Sequence, residues 1–323
     1  MSKAILTFII PCFNSGGLMS RCFDSLKNQT LKNIEIIFVD DGSEDNTKEI
    51  IKKFVDIEPR AKLISQENKG ITAARLLGLK NSNSKFVTFL DADDYVDANV
   101  AEEAYIKFMS DNNIDALLYN FVYLDGEESK TFEVKFNFPL KGEDVISKTI
   151  PSWEIYTNGI YKTECALEAY RKINFNSTNS DEVANRLIFE NCKKVGKLDS
   201  SYYYVHYPSS ASKFPSKNYV TRLESAYWLR NYTIKTWAKK VSIDRADIHF
   251  INELCSLSLK FRKFECSMPN DVRMKWREEL FRYRGYALSI LSSAVFKYPS
   301  KFFNDYKFLK KIVYILAMPL IIK

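Results

Sequence analysis

The chain has 323 residues, 46% of them hydrophobic and 27% charged, with a net charge of +7. These are ordinary values for one large or two modest globular domains. Ten Gly and nine Pro exclude collagen-like and linker-type sequence, and no apolar run reaches the ~18 residues of a membrane span. The six cysteines (Cys12, Cys22, Cys165, Cys192, Cys255, Cys266) are scattered without a CxxC pair, which argues against a zinc ribbon or disulfide framework and fits a reducing cytosol.

In chain order, Ala4 to Pro11 is a continuous apolar run, the pattern of a strand buried on both faces in a parallel sheet. It lacks a small-residue cleavage site, so it reads as a first strand and not a signal peptide. A helical pattern follows from Leu18 to Gln29, then a β-branched run Ile34–Val39, a helix carrying Ile50, Ile51, Phe54 and Val55, and a short strand Lys62–Ser65. Gly70–Lys80 reads as a small-residue helix, Phe86–Leu90 as a fourth strand and Asp97–Ser110 as a helix. This alternation predicts an α/β fold with a mostly parallel sheet flanked by helices. Ala116 to Phe138 is strand-rich, with a hairpin turn at Asp125-Gly126-Glu127. Trp153–Glu168 reads as helical, Asp181–Cys192 as an amphipathic helix and Ser200–Tyr207 as an extended aromatic segment. From Pro215 onward the pattern is helical almost without interruption, with no repeat of solenoid period.

The charge is unevenly divided. Residues 215–323 hold 21 Lys/Arg against 9 Asp/Glu, whereas residues 1–214 hold 26 against 31. Two regions are therefore expected, an acidic α/β domain at 1–214 and a smaller basic helical region at 215–323. No helix-turn-helix, RNP or zinc signature accompanies the basic excess, so nucleic acid is not the expected partner.

Two acidic clusters stand at predicted strand ends, where an open α/β sheet forms its ligand crevice. In Val39-Asp40-Asp41-Gly42-Ser43 a carboxylate could accept a hydrogen bond from an imide N–H such as that of uracil, and Gly42 permits close backbone approach. The alternative is a plain turn in which Asp45 or Asn46 caps the next helix. In Phe89-Leu90-Asp91-Ala92-Asp93-Asp94, Asp91 and Asp93 point the same way in extended chain. A hard divalent cation relieves their repulsion and can hold substrate phosphates. Asp94 or Asp97 could instead cap the helix that follows.

The series Ile9-Ile10-Pro11-Cys12-Phe13-Asn14, Asp40-Asp41-Gly42-Ser43-Glu44-Asp45, Asn68-Lys69-Gly70 with Ala74-Arg75, and Phe89-Leu90-Asp91-Ala92-Asp93-Asp94 resembles the family 2 glycosyltransferases, over roughly residues 4–215. The resemblance implies a GT-A (Rossmann-like) fold and transfer of a sugar from a nucleotide donor with inversion at the anomeric carbon. It implies that Pro11, Phe13 and Asp41 line the nucleobase with Asp40 beside them. It also makes Asp91 and Asp93 the DxD element, with Asp93 the direct ligand of Mn²⁺ or Mg²⁺ and Asp91 nearer the ribose. Arg75 matches the family's Ala-Arg pair and is by that resemblance a candidate contact to the nucleotide-sugar donor, although Leu76 stands where Asn is frequent. For the general base, Ser180-Asp181-Glu182 replaces the family's Glu-Asp pair. Asp181 takes the role if spacing is respected, Glu182 if the register is off by one, and Ser180 or Asp181 could simply cap a helix. His206 is a candidate third metal ligand or phosphate contact, with a structural role as its alternative, and Lys213 is a candidate phosphate contact. Trp153, Glu154, Tyr156 and Asn158 fall in the acceptor-side region, whereas His249 belongs to the helical part.

The resemblance further implies a donor that is UDP-linked and an acceptor that is a glycan or lipid-linked hydroxyl, hexosyl or N-acetylhexosaminyl transfer, and a place in bacterial surface-polysaccharide synthesis. The Lys-rich apolar stretch from Lys297 onward ends in an apolar run to Ile322 of about eleven residues, too short to span a bilayer. It fits peripheral contact with the inner face of the cell membrane, or docking on the core or on an oligomer partner. A sugar-nucleotide nucleotidyltransferase would want a basic Gly-rich loop after the first strand, where Asn14-Ser15-Gly16-Gly17 stands. A dehydrogenase would want GxGxxG there. A non-catalytic scaffold of the same fold would have no need of Asp41, Asp91, Asp93 and Asp181.

Overall fold

The computed structural model describes residues 4–132, 136–151, 154–175, 177–207, 216–239 and 241–297, together with Ile315. They fall into two compact units, one within Met1–Thr149, Trp153–Asn176 and Ser180–Tyr207, the other within Ile150–Ser152, Ser177–Asn179 and Pro208–Lys323.

The first unit begins with β1 (Leu6–Cys12), α1 (Ser20–Lys27), β2 (Ile34–Asp41), α2 (Thr47–Ile57), β3 (Ala61–Gln66), α3 (Ile71–Asn81) and β4 (Phe86–Phe89). The apolar runs of β1, β2 and β4 are buried on both faces, as strands between two helical layers must be. All three pairings among these four strands are parallel, in the order β3-β2-β1-β4. The register sets Cys12 beside Asp40, Asp41 beside Gln66 and Ile9 beside Phe89. After β3 the chain returns to the other side of β1, so β1 and β4 flank a point of topological reversal, where the carboxyl ends of strands leave a crevice. Gly78 lets α3 lie close on β1, since an added Cβ would fall 2.4 Å from Cγ2 of Ile9.

The rest of this unit is mixed. It contains β5 (Tyr95–Val96), α4 (Val100–Ser110), β6 (Ala116–Asp125), β7 (Glu128–Phe132), α5 (Gly142–Lys148), β8 (Gly159–Lys162), α6 (Thr163–Arg171), α7 (Ser180–Ile188) and β9 (Val195–His206). The sheet continues β4-β8-β6-β9-β5, with β7 paired to β6. Here only β6–β9 is parallel, and the β4–β8, β6–β8, β6–β7 and β5–β9 pairs are antiparallel. The α/β expectation therefore holds, with the parallel character concentrated in the first four strands. The hairpin turns at Asp125–Glu128 as read from the sequence.

The single helix expected over Trp153–Glu168 is not present in its described part, residues 154–168. Gly159–Lys162 is a strand, and helix begins only at Thr163. The stretch is decided by tertiary pairing rather than local pattern: Ile160 and Tyr161 are buried between β4 and β6, and the backbone of Gly159 sits against the Leu117 carbonyl.

The second unit is helical, with α8 (Arg222–Tyr232), α9 (Ile243–Phe264) and α10 (Asn270–Lys297). Leu223, Phe250, Leu254, Phe261, Trp276 and Tyr283 form its core. Ion pairs Arg222–Glu253 and Arg230–Asp247 join α8 to α9 at 2.5 and 2.6 Å. Among the described residues no helix is long and apolar enough to cross a membrane. The stretch after Lys297, on which the membrane expectation rests, lies outside the described residues apart from Ile315.

Candidate functional site

The carboxyl ends of β1 and β2 are stitched together by their loops. The amide of Asn14 donates to the Ser43 hydroxyl at 3.0 Å, and the amide of Glu44 donates back to Asn14 Oδ1 at 2.9 Å. The Ser15 amide donates to the Thr47 hydroxyl at 2.7 Å. Asp45, not Asn46, accepts from the Thr47 amide at 3.0 Å and from the Gly16 amide at 3.4 Å. The Thr47 hydroxyl bond holds this carboxyl below its usual range. Against this braced loop, Pro11 is half-buried and the ring of Phe13 is 47% exposed.

Asp40 and Asp41 close β2. Asp40 Oδ1 accepts from the Ser43 amide at 3.1 Å. Asp41 is 3% exposed and gathers three donors: Gln66 Nε2 at 2.7 Å and the amides of Lys69 and Gly70 at 2.8 Å each. It thus clamps the loop leading into α3. Gly42 permits this, having φ of +73° and an Asn68 amide nitrogen that would lie 2.8 Å from any Cβ.

Asp91, Asp93 and Asp94 follow β4, and their surroundings separate their roles. Asp94 is fully buried and accepts from the Tyr202 hydroxyl at 2.6 Å and the Val205 amide at 2.8 Å. Burial, then Asp91 and Asp93, pushes its carboxyl well up. Asp97 likewise accepts from the Ser201 amide at 2.8 Å and the Tyr203 hydroxyl at 3.0 Å. Neither caps α4, whose N-terminus has no side-chain cap. Both fasten the acidic loop to β9. Asp93 is raised to about 6 by burial and by the charge of Asp91, and Asp91 receives Arg75 Nη2 on Oδ1 at 2.7 Å.

Among the described residues no group of three His, Cys, Asp or Glu side chains is placed to hold a metal ion. Two neighbouring carboxylates, Asp91 and Asp93, one of them destabilised as an anion by the other, fit a hard divalent cation that completes its coordination with phosphate and water. His206 stands apart from them in its contacts. Its Nδ1 is 3.2 Å from Asp125 Oδ1, and its ring stacks on Tyr123 at 5.6 Å.

Beside the acidic loop, α3 and α7 meet through Thr72 and Ser180, whose hydroxyls share a hydrogen bond. The guanidinium of Arg75, a residue only 4% exposed, lies over Phe89 with its carbon 5.1 Å from the ring centre. Its Nη1 donates to the Tyr170 hydroxyl at 3.3 Å and lies 3.5 Å from Asp181 Oδ2. Burial pushes Asp181 up to about 6, with Arg75 opposing and Glu182 and Asp91 adding to the rise. Glu182 points elsewhere: its Oε2 is 3.3 Å from Nη1 of Arg186, a buried residue also bonded to the Thr149 carbonyl and hydroxyl. Of the two acidic neighbours, Asp181 is the one brought to Arg75 and, through it, to Asp91.

Of the residues expected near an acceptor, Tyr156 stacks on Phe121 at 4.3 Å and the Asn158 carbonyl accepts from the Tyr119 amide. The Glu154 amide donates to the Lys148 carbonyl. Trp153 and Lys213 lie outside the described residues. His249, in the helical unit, has Nδ1 3.1 Å from the Pro151 carbonyl. Two participants escape sequence reading, Tyr170 and Tyr202. Tyr202 belongs to a recognisable aromatic run, yet nothing local marks its hydroxyl as the partner of Asp94.

The family model for glycosyl transferase family 2 matches residues 7–177. The chain is 35% identical over 159 residues to glycosyltransferase GlyA of Streptococcus pneumoniae, a match covering 49% of this chain and 22% of that protein. It is 27% identical over 268 residues to an uncharacterized glycosyltransferase of Haemophilus influenzae, covering 81% of this chain and all of that one. Its fold resembles the S. aureus TarS 1–349 structure in complex with UDP-GlcNAc, with a TM-score of 0.62, 19% identity and coverage of 87% and 80% of the two chains. A mannosyltransferase from Pyrobaculum calidifontis in complex with GDP-Man and Mn²⁺ has a TM-score of 0.54 at 14% identity, covering 99% and 87%. With a GT-A-like mixed sheet and a family match over more than half its length, this chain belongs to glycosyltransferase family 2.

Proposed function

We propose that the chain is a metal-dependent, inverting glycosyltransferase that moves a hexosyl or N-acetylhexosaminyl group from a UDP-linked donor to a hydroxyl of a glycan or lipid-linked acceptor. The observation that carries this reading is the gathering of Asp91, Arg75 and Asp181 from the loop after β4, from α3 and from α7, with Asp91 at the carboxyl end of β4, which with β1 flanks the crevice. The TarS complex, which holds UDP-GlcNAc, supports the choice of donor.

In this reading Phe13 and Pro11 offer apolar surface to the base, with Asp40 beside them. Asp41 holds the loop into α3 in place and presents the edge on which an imide N–H is read. Asp93, with Asp91, would hold a divalent cation, which supplies Lewis-acid stabilisation of charge on the departing diphosphate. Asp181 accepts the proton of the acceptor hydroxyl as that oxygen attacks the anomeric carbon and the bond to the diphosphate breaks. Its carboxyl, raised to about 6, is ionised at neutral pH yet more basic than an exposed aspartate, the tuning a general base requires. One displacement inverts the anomeric carbon, with no covalent sugar intermediate. The net excess of basic residues in 215–323 supports a station at the inner membrane face, where a lipid-linked acceptor would lie.

The test is a panel of UDP-, GDP- and other nucleotide sugars assayed for cation-stimulated hydrolysis and transfer. Turnover of a UDP-sugar supports the reading. No turnover across the panel, or turnover indifferent to chelator, contradicts it.

A further inference from the structure

Arg75 occupies a position that donor binding alone does not explain. It sits on α3 with its side chain 5% exposed, and its two terminal nitrogens are divided between carboxylates from separate parts of the chain. Nη2 is 2.7 Å from Asp91 and Nη1 is 3.5 Å from Asp181, residues 16 and 106 positions away in sequence. Tyr170 Oη at 3.3 Å and the Phe89 ring at 5.1 Å fix the plane of the guanidinium. Among the described residues its buried Nε has no hydrogen-bond partner, a cost a fold would not carry for a single surface ion pair. A guanidinium presents donors in a rigid fork and can therefore set the distance between two carboxylates, whereas a lysine ammonium is a point charge on a flexible stem.

We infer that Arg75 is a positioning residue that locks the base Asp181 to the donor-side carboxylate Asp91, so that the acceptor hydroxyl and the anomeric carbon are held in one geometry. This rests on the glycosyl-transfer reading above and goes beyond it, since it places the contribution of Arg75 in alignment of the base and not in affinity for the nucleotide. The link spans α3, α7 and the loop after β4. A misplacement of about 1 Å at such a link costs on the order of 10²-fold in rate.

The test is a cycle of Arg75→Lys, Asp181→Asn and the double variant, with thermal melts to establish folding and Arg75→Met as a second single variant should the lysine form fail to fold. Arg75→Lys is expected to lower kcat about 100-fold while KM for the nucleotide sugar changes less than about threefold. The double variant is expected to be no more than about threefold slower than Asp181→Asn alone, because both act through one base. Losses that multiply, or a raised KM with kcat unchanged, would overturn the assignment. A measurement independent of turnover is the carboxyl ¹³C titration of Asp181. In Arg75→Met, which removes the positive charge that Arg75→Lys keeps, its midpoint should rise, and an unchanged midpoint there would overturn the link even if the protein transfers no sugar to the acceptors tried.

Discussion

The two halves of the large sheet do different work. In the first, β3, β2, β1 and β4 run parallel, so their carboxyl ends share one edge, and the chain spends that edge on Phe13, Asp40, Asp41, Asp91 and Asp93. In the second, β8, β6, β9 and β5 pair mainly antiparallel, and strand ends alternate between edges. That half contributes hydroxyls and rings: Tyr202 and Tyr203 fasten the acidic loop through Asp94 and Asp97, and Phe121, Tyr156, Tyr204 and Tyr123 stack on one another. Parallel topology gathers charge at one place, and the mixed half holds that charge in position.

This division can be broken residue by residue. The largest effect is expected from Asp93→Ala, which should remove cation-dependent turnover, about 10³-fold or more, while circular dichroism stays that of the wild type. Asp181→Asn should lower transfer about 10²- to 10⁴-fold with UDP binding by calorimetry unchanged, and transfer at the normal rate would show that the base lies elsewhere. If Asp181, its carboxyl raised to about 6 by burial, is the base proposed above, kcat should fall as pH drops, to about half near pH 6 and roughly a tenth near pH 5, because the protonated carboxyl cannot accept the hydroxyl proton. On the supporting side, Tyr202→Phe removes a donor to buried Asp94 and should cost about 1–3 kcal/mol by denaturant melt, with KM and kcat affected only secondarily. The smallest effect is expected for Glu182→Gln, within about threefold in kcat, because Glu182 is turned to Arg186.

The same division governs what the amino-acid sequence reveals. Strands buried on both faces read as unbroken apolar runs, so β1, β2 and β4 and the acids at their ends are legible locally. β8 is not, because four residues with a glycine become a strand only when β4 and β6 close on either side. Asp94 and Asp97 look like helix caps until β9, more than 100 residues later, supplies their partners. The choice between Asp181 and Glu182 is likewise beyond local reading. It depends on Arg75 from one side and Arg186, anchored on Thr149, from the other.

The most direct measurement is calorimetry of UDP against the wild-type chain and Asp93→Ala, each with Mn²⁺ and with chelator. Binding that requires Mn²⁺ in the wild type and is lost or weakened at least tenfold in the variant is the expected result. Absence of UDP binding, or binding equal in all four conditions, would contradict a cation-assisted nucleotide site at the ends of the parallel strands.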